Sequence, residues 1–333
     1  MNERSFCAKA ELNMRSTRLP IAILIGGFLF FSYIAFGHAA QKGTLVLQPL
    51  GSTERSEDLA QLQHLLLTSQ WAEAAKLAEA LTKDFPRNPE PFYALGLAQW
   101  RLGKSIATIQ ALRSAERLGL DTGALHKLLG MAYYRVDQYR LFQLEMNQAI
   151  QADMQDYEPY YFLGLYYSSD GGNLETAVTF LNEAIARNPD DMKSIYYRGY
   201  CEEMMNLRSD AQADYLRAIT LAEASHQSFS LPYQGMADVL LRTNLGQAAR
   251  YAQKAVELGP QLDSNHFILA KVEEKQGKLS EAAEQLQECA RLNSTKASYH
   301  YMLFRLYMRM GKNASAQSEL KLFNKLTATY SDE

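Results

Sequence analysis

The sequence predicts an all-α protein, a solenoid of about eight helix–turn–helix repeats. Three observations point there. Breakers are scarce, with 9 Pro in 333 residues, while Ala, Leu, Glu, Gln and Lys are abundant. Alternating apolar and polar residues occur only in the short TLVLQ at 44–48. Small residues recur on a steady period: Gly96, Gly130, Gly164, Gly199, Gly235 and Ala270, then Phe304, at steps of 34, 34, 35, 36, 35 and 34.

The chain opens with an export signal. Residues 19–36, LPIAILIGGFLFFSYIAF, carry no charge and follow Arg15 and Arg18. The exit GHAAQ offers Gly37 and Ala39 at the −3 and −1 positions of a signal-peptidase site. The expectation is a signal peptide over 1–39, with Met14 as an alternative start and a mature chain beginning at Ala40. An uncleaved anchor is the competing reading, because 18 apolar residues just suffice to span a bilayer. Residues 40–56, QKGTLVLQPLGSTERSE, read as a linker, and the solenoid is expected over 57–330. The protein is therefore expected outside the cytoplasm, periplasmic or extracellular, or else membrane-anchored and facing the periplasm. A membrane is a partner only if the segment is not cleaved.

Two further registers keep step with the glycines. One runs Ala74, Thr108, Phe142, Ala177, Ala211, Ala248, Ala282, Ala316; the other runs Leu81, Ala115, Ala149, Ala184, Ala218, Ala255, Cys289, Phe323. Antiparallel helices approach closely only where small residues face each other, which is the physical reason for such registers. Each unit then reads as helix A, a turn, and helix B. Units start near Arg55, Pro89, Gly123, Tyr157, Met192, Ser228, Asp263 and Ala297. Pro91 and Pro159 fall in first helical turns, while Pro86, Pro189 and Pro260 close helix B. Gly103, Gly171, Gly277 and Gly311 supply the turns between helices. The stretch SHQSFS at 225–230 lengthens one connection, and Pro232 delays the helix after it.

This pattern resembles the tetratricopeptide repeat, W-x2-L-G-x2-Y followed by A-x3-F and P in 34 residues. It appears as Phe92-Leu95-Gly96, as His126-Leu129-Gly130-Tyr133 and as Tyr160-Leu163-Gly164-Tyr167, with second halves such as Ala248-Ala252-Ala255-Pro260. Departures are the missing Leu-Gly pair in the first unit, Arg198 for Leu in the fifth and Phe304 for Gly in the eighth. The resemblance implies a right-handed superhelix whose helix A faces line a concave groove. In the stretch EPYYFLGLYY, Tyr160 and Tyr167 take the consensus W and Y positions and are expected in the core. Tyr161 is expected on the groove.

No catalytic machinery emerges. The chain has no P-loop, HExxH, GxSxG or CxxC, and the repeats leave no room for a separate catalytic domain. A formal charge of −3 and pI near 6.1 give no electrostatic case for nucleic acid. His126, His266 and His300 fall at consensus W positions and are expected to pack. A metal shared by His266, His300 and Asp263 is rejected, because equivalent positions in adjacent repeats lie about 10 Å apart. Cys201 and Cys289, two repeats apart, are expected as buried free thiols, with no cofactor implied. The groove positions are Tyr93, Tyr161, Tyr196, Phe267 and Tyr301 beside the consensus W, and Trp100, Tyr134 and Tyr200 further along helix A. Such aromatics anchor an extended peptide at low entropy cost, and Arg101, Arg135, Lys271, Arg305 and Arg309 stand near enough to meet carboxylates. The expected function is a non-catalytic protein-interaction scaffold of the cell envelope, binding a peptide or protein segment. Its alternatives are a membrane-anchored envelope-assembly factor, or a regulatory subunit of a cell-wall or glycan-processing enzyme complex.

Overall fold

The computed structural model of the chain describes residues 53–169 and 172–328. The expected signal peptide, the alternative start at Met14, Cys7, most of the linker and Gly171 lie outside the described residues. Among those described, every regular element is an α-helix. They are α1 (Thr53–Leu67), α2 (Trp71–Asp84), α3 (Pro89–Arg101), α4 (Ser105–Arg117), α5 (Gly123–Tyr134), α6 (Tyr139–Ala152), α7 (Glu158–Tyr167) and α8 (Leu174–Arg187). There follow α9 (Met192–Met204), α10 (Arg208–Ala224), α11 (Leu231–Leu240), α12 (Leu245–Leu258), α13 (Asp263–Lys275), α14 (Leu279–Leu292), α15 (Ala297–Arg309) and α16 (Asn313–Ala328). The fold is an all-α array of helix–turn–helix repeats, whose odd-numbered helices are the expected helices A. Two boundaries differ. α1 begins at Thr53, ahead of the expected 57, and the sixth repeat begins its helix at Leu231 because Ser225–Ser230 run as a connection.

The chain forms two compact units, one through Gly172 with α1–α7 and one from Asn173 with α8–α16. Within each unit, consecutive helices pack on one another through the expected registers. Ala74, Thr108, Ala115, Ala184, Ala211, Ala218, Ala248, Ala255 and Ala282 are each 0% exposed. In α12 the buried residues are Ala248, Ala252 and Ala255, a narrow stripe at helical spacing that lets α11 and α13 come close. The glycine register does the same from helix A. A Cβ on Gly130 would stand 2.6 Å from Met146 Cε and 3.4 Å from the Phe142 carbonyl. On Gly235 it would stand 2.5 Å from the Tyr215 ring, which the neighbouring helix pair supplies.

Among the described residues, six of the A–B turns share one geometry. After α3, Gly103 N–H donates to the Trp100 carbonyl and Lys104 N–H to the Gln99 carbonyl, with Gly103 at φ 78°. This is the Schellman closure of a helix end, in which a left-handed residue satisfies the last carbonyls. It recurs at Gly277 (φ 78°) and Gly311 (φ 72°), and with side chains present at Ser69 (φ 60°), Asp137 (φ 58°) and Asn206 (φ 62°). The α11–α12 turn lacks it, and Asn244 instead caps α12 by accepting from Gln247 N–H at 3.1 Å. Helix A starts are capped from the side chain where Asn88, Thr122 and Asp191 accept from Glu90, Leu125 and Ser194 N–H.

Candidate functional site

The groove-register side chains divide sharply by burial. Tyr161 is 7% exposed, Tyr160 is 8% and Tyr196 is 7%. The expectation that Tyr160 and Tyr167 are core and Tyr161 faces a groove is corrected: Tyr160 and Tyr161 are both buried, and Tyr167 is partly exposed. A helix A in an array has its partner helix on one side and further helices A on others, so a turn of about 100° does not reach solvent. Tyr196 lies against Tyr197, Tyr215 and Phe229, with ring centroids 5.0, 5.7 and 5.5 Å away. Phe229 comes from the long connection before α11 and is itself 5% exposed. The connection that breaks the period is thus a lid over Tyr196.

Tyr93, Trp100, Tyr134, Tyr200, Phe267 and Tyr301 are partly exposed. In the first unit, the Arg135 guanidinium lies 4.7 Å from the centroid of the Trp100 ring, and Arg101 lies 5.0 Å from that of Trp71. Tyr134 meets Tyr139 and Phe142 edge-on at 5.7 and 5.2 Å. Burial raises the Tyr93 phenol pKa, opposed by the charge of Lys127. Lys127, which follows a consensus W position, is held by Asp156 at 2.6 Å and by Glu158. In the second unit, Phe267 packs on Tyr299 at 5.5 Å, with the Lys271 ammonium 5.8 Å from its centroid. Tyr301 lies between Phe304 and Phe323 of α16, at 6.1 and 5.3 Å. The charges near these rings are mostly matched. Lys271 pairs with Asp238 of the preceding helix A, and Arg309 with Glu274 in the same way.

Departures from the repeat pattern have polar explanations. Arg198, at a leucine position, gives Nε and Nη2 to the two oxygens of Asp214 at 2.6 and 2.7 Å, and Nη1 to Asn182 at 2.8 Å. This bidentate geometry lets a buried carboxylate replace an apolar contact. The three histidines follow one rule: Nδ1 of His126, His266 and His300 meets Glu145, Gln285 and Glu319, each 19 residues on. His266 Nε2 turns to the Pro260 carbonyl at 3.0 Å, while Asp263 accepts from Tyr299 Oη at 2.7 Å. These three are not brought together.

A buried network around Glu145 was not foreseen. Ligand atoms of Glu116, His126 and Glu145 lie within 4.8 Å of one another, a spacing a metal ion would accept. Arg113 takes that role, giving Nη1 to Glu116 and Nη2 to Glu145, both at 2.6 Å, and Nε to Tyr133 Oη at 3.0 Å. A cation already bonded to both carboxylates leaves an ion no gain there. His126, bonded to Glu145 and also to Asp121 at 2.7 Å, has a raised pKa, chiefly through Glu145 and against desolvation. An acidic residue 19 positions after a consensus W histidine was the sequence signal for this network. Cys201 and Cys289 are buried free thiols with pKa values pushed up to about 12 by burial, which makes them inert.

Residues 59–119 and 157–191 match family models of the tetratricopeptide repeat. The chain carries tetratricopeptide repeats. Solved structures with this fold include the Cut9–Hcn1 hetero-tetramer of APC/C, with TM-score 0.63 and 14% identity over 74% of this chain and 48% of that one. Pseudomonas aeruginosa pilF is similar with TM-score 0.55 and 17% identity, over 64% of this chain and 96% of that one. The C-terminal part of a repeat-containing protein from Cytophaga hutchinsonii gives TM-score 0.53 and 15% identity, over 72% and 97%. At these identities the likeness is one of fold. No curated protein matches the tetratricopeptide-repeat chain in sequence. Its repeats mark it as a protein–protein interaction scaffold. Among the described residues no helix is long and apolar enough to cross a membrane.

Proposed function

We propose that this tetratricopeptide-repeat protein is an exported, non-catalytic scaffold of the cell envelope that binds a polypeptide segment on the helix A faces of its repeats. The observation that carries the reading is the set of partly exposed aromatics on helices A: Tyr93, Trp100 and Tyr134 in one unit, Tyr200, Phe267 and Tyr301 in the other. Partly exposed aromatics held by their neighbours bind with little further loss of side-chain freedom. Tyr161 and Tyr196 drop out of the contact surface and support it from behind. Export rests on the apolar run 19–36 with its basic flank and GHAAQ exit.

Affinity capture with the full chain, from membrane and soluble envelope fractions of the native host kept apart, tests the reading. A partner retained by the wild type and lost from Trp100→Ala and Phe267→Ala supports it. Equal retention by the variants overturns the assignment of the face. The intact mass of the native protein separates the two forms of export. A chain beginning at Ala40 supports cleavage, and a full-length chain in the membrane fraction supports an anchored assembly factor.

A further inference from the structure

We propose that the connection between α4 and α5, residues 118–122, is a protonation-controlled latch, closed by Asp121 on the imidazolium of His126 and released when that ring is neutral. The inference stands apart from the scaffold reading.

His126 of α5 lies between two carboxylates. Its Nδ1 meets Glu145 Oε2 of α6 at 2.8 Å, and its Nε2 meets Asp121 Oδ1 of the connection at 2.7 Å. An ionised carboxylate only accepts, so both contacts are hydrogen bonds only when both ring nitrogens carry a proton. A neutral imidazole has one N–H and turns a lone pair towards the second carboxylate. The two acceptors differ in their access to water. The Glu145 side chain is 0% exposed, whereas that of Asp121 is 84% exposed. A buried carboxylate stripped of a donor costs more than one that returns to water, so the remaining N–H stays with Glu145. Asp121 is the partner released, and the leaving proton goes to solvent.

Other charges around the ring leave this balance in place. Arg113 and Glu116 of α4 face it through Glu145, with Arg113 bonded to Glu145 Oε1, to Glu116 and to Tyr133 of α5. Lys127, next along α5, is held by Asp156 and Glu158. The bond to Glu145, opposed by burial and joined by the bond to Asp121, raises the His126 pKa, so release falls above the ordinary histidine range. The equivalent histidines are built otherwise. His266 meets the Gln285 amide and the Pro260 carbonyl at 2.7 and 3.0 Å. An amide turned end for end donates to Nδ1, so a neutral ring satisfies both. His300 meets Glu319 through Nδ1 at 2.7 Å, which a single N–H satisfies. Of the three, only His126 needs its charge to keep both partners. The backbone beside Asp121 reports the latch: Gly119 and Leu120 N–H donate to the Glu116 and Ala115 carbonyls, and Leu125 N–H to Thr122 Oγ1.

The test is amide hydrogen exchange of the full chain, read by mass spectrometry at about pH 6 and about pH 8.5, with each rate divided by the intrinsic rate at that pH. At the higher pH, residues 118–126 should lose at least about tenfold more protection than 259–266 around His266, the loss expected for one charge-assisted bond. Asp121→Asn should hold the connection at both pH values, because its amide accepts from the imidazolium and donates to the neutral ring. His126→Gln should leave it loose at both. Circular dichroism checks that each variant is folded. Asp121 is on the surface, so Asp121→Asn decides the matter whether or not His126→Gln folds. An equal loss in the two segments would assign the effect to the whole fold and overturns the latch. So does a wild-type connection equally protected at both pH values, or a loss that persists in Asp121→Asn.

Discussion

His126 is 3% exposed and holds a carboxylate on each ring nitrogen, so the folded state favours its charged form. A histidine whose folded pKa is raised contributes stability fully below the unfolded value, about 6.5, and loses it as pH climbs through the folded value. Burial also raises the carboxyls of Glu202 and Glu273 to about 7. The native state then binds more protons than the unfolded one between their ordinary range and about 7, so stability falls across that window too. Urea melts should show stability declining from pH 5 towards pH 9. Glu202→Gln and Glu273→Gln should each gain on the order of 1 kcal/mol at pH 8 and little at pH 5, after allowance for solvent screening. A flat profile would show that these groups are solvated. Tyr160 and Tyr161, at 8% and 7% exposure, set a second residue-scale expectation. Each change to Ala should cost about 3–5 kcal/mol in denaturant melts, and a clearly smaller cost for Tyr161→Ala would mean its ring faces solvent. The sequence placed Tyr160 correctly because the consensus W position defines the face towards the pair. It misplaced Tyr161 because a period says nothing of how closely successive helices A approach.

At the scale of the element, the repeats were legible because helix pairing needs small residues at fixed intervals, and those intervals survive in the sequence. The glycines have two separate reasons to be there, and the two should cost differently when lost. Gly277 sits in open space at φ 78°, so Gly277→Ala meets only backbone strain, about 1 kcal/mol. Gly235 has ordinary helical backbone, but its added Cβ would lie 2.5 Å from a buried tyrosine ring. Gly235→Ala should cost about 1–3 kcal/mol by overpacking. Chemical denaturation of both variants checks this, and a larger loss for Gly277→Ala would contradict the division. The connection Ser225–Ser230 was legible as an extra length only. That Phe229 turns inward onto Tyr196 depends on a pairing remote in sequence, which no local pattern records.

For the molecule as a whole, an array of helix pairs draws its stability from contacts between near neighbours. Ending the chain after Ser225 keeps α10 whole and should leave a folded, weakened helical protein. Ending it after Gly199 divides α9 and should cost more, visible as a lower Tm and a broader transition. The fold of the described residues was therefore readable from the sequence, whereas the binding face was readable only as a set of positions. Whether a ring at such a position is accessible depends on how the repeats pack, and the burial of Tyr161 and Tyr196 shows how far that can shift a site. The central claim, that a partner segment lies on the helix A faces, is tested most directly by placing a photo-crosslinking side chain at single positions of the full chain in its native host. Tyr134, Tyr200 and Phe267 report on helix A, and the exposed Leu144 and Leu216 report on helix B. Irradiation should give a discrete protein adduct from the helix A positions and none from Leu144 or Leu216. Adducts confined to the helix B positions would contradict the account.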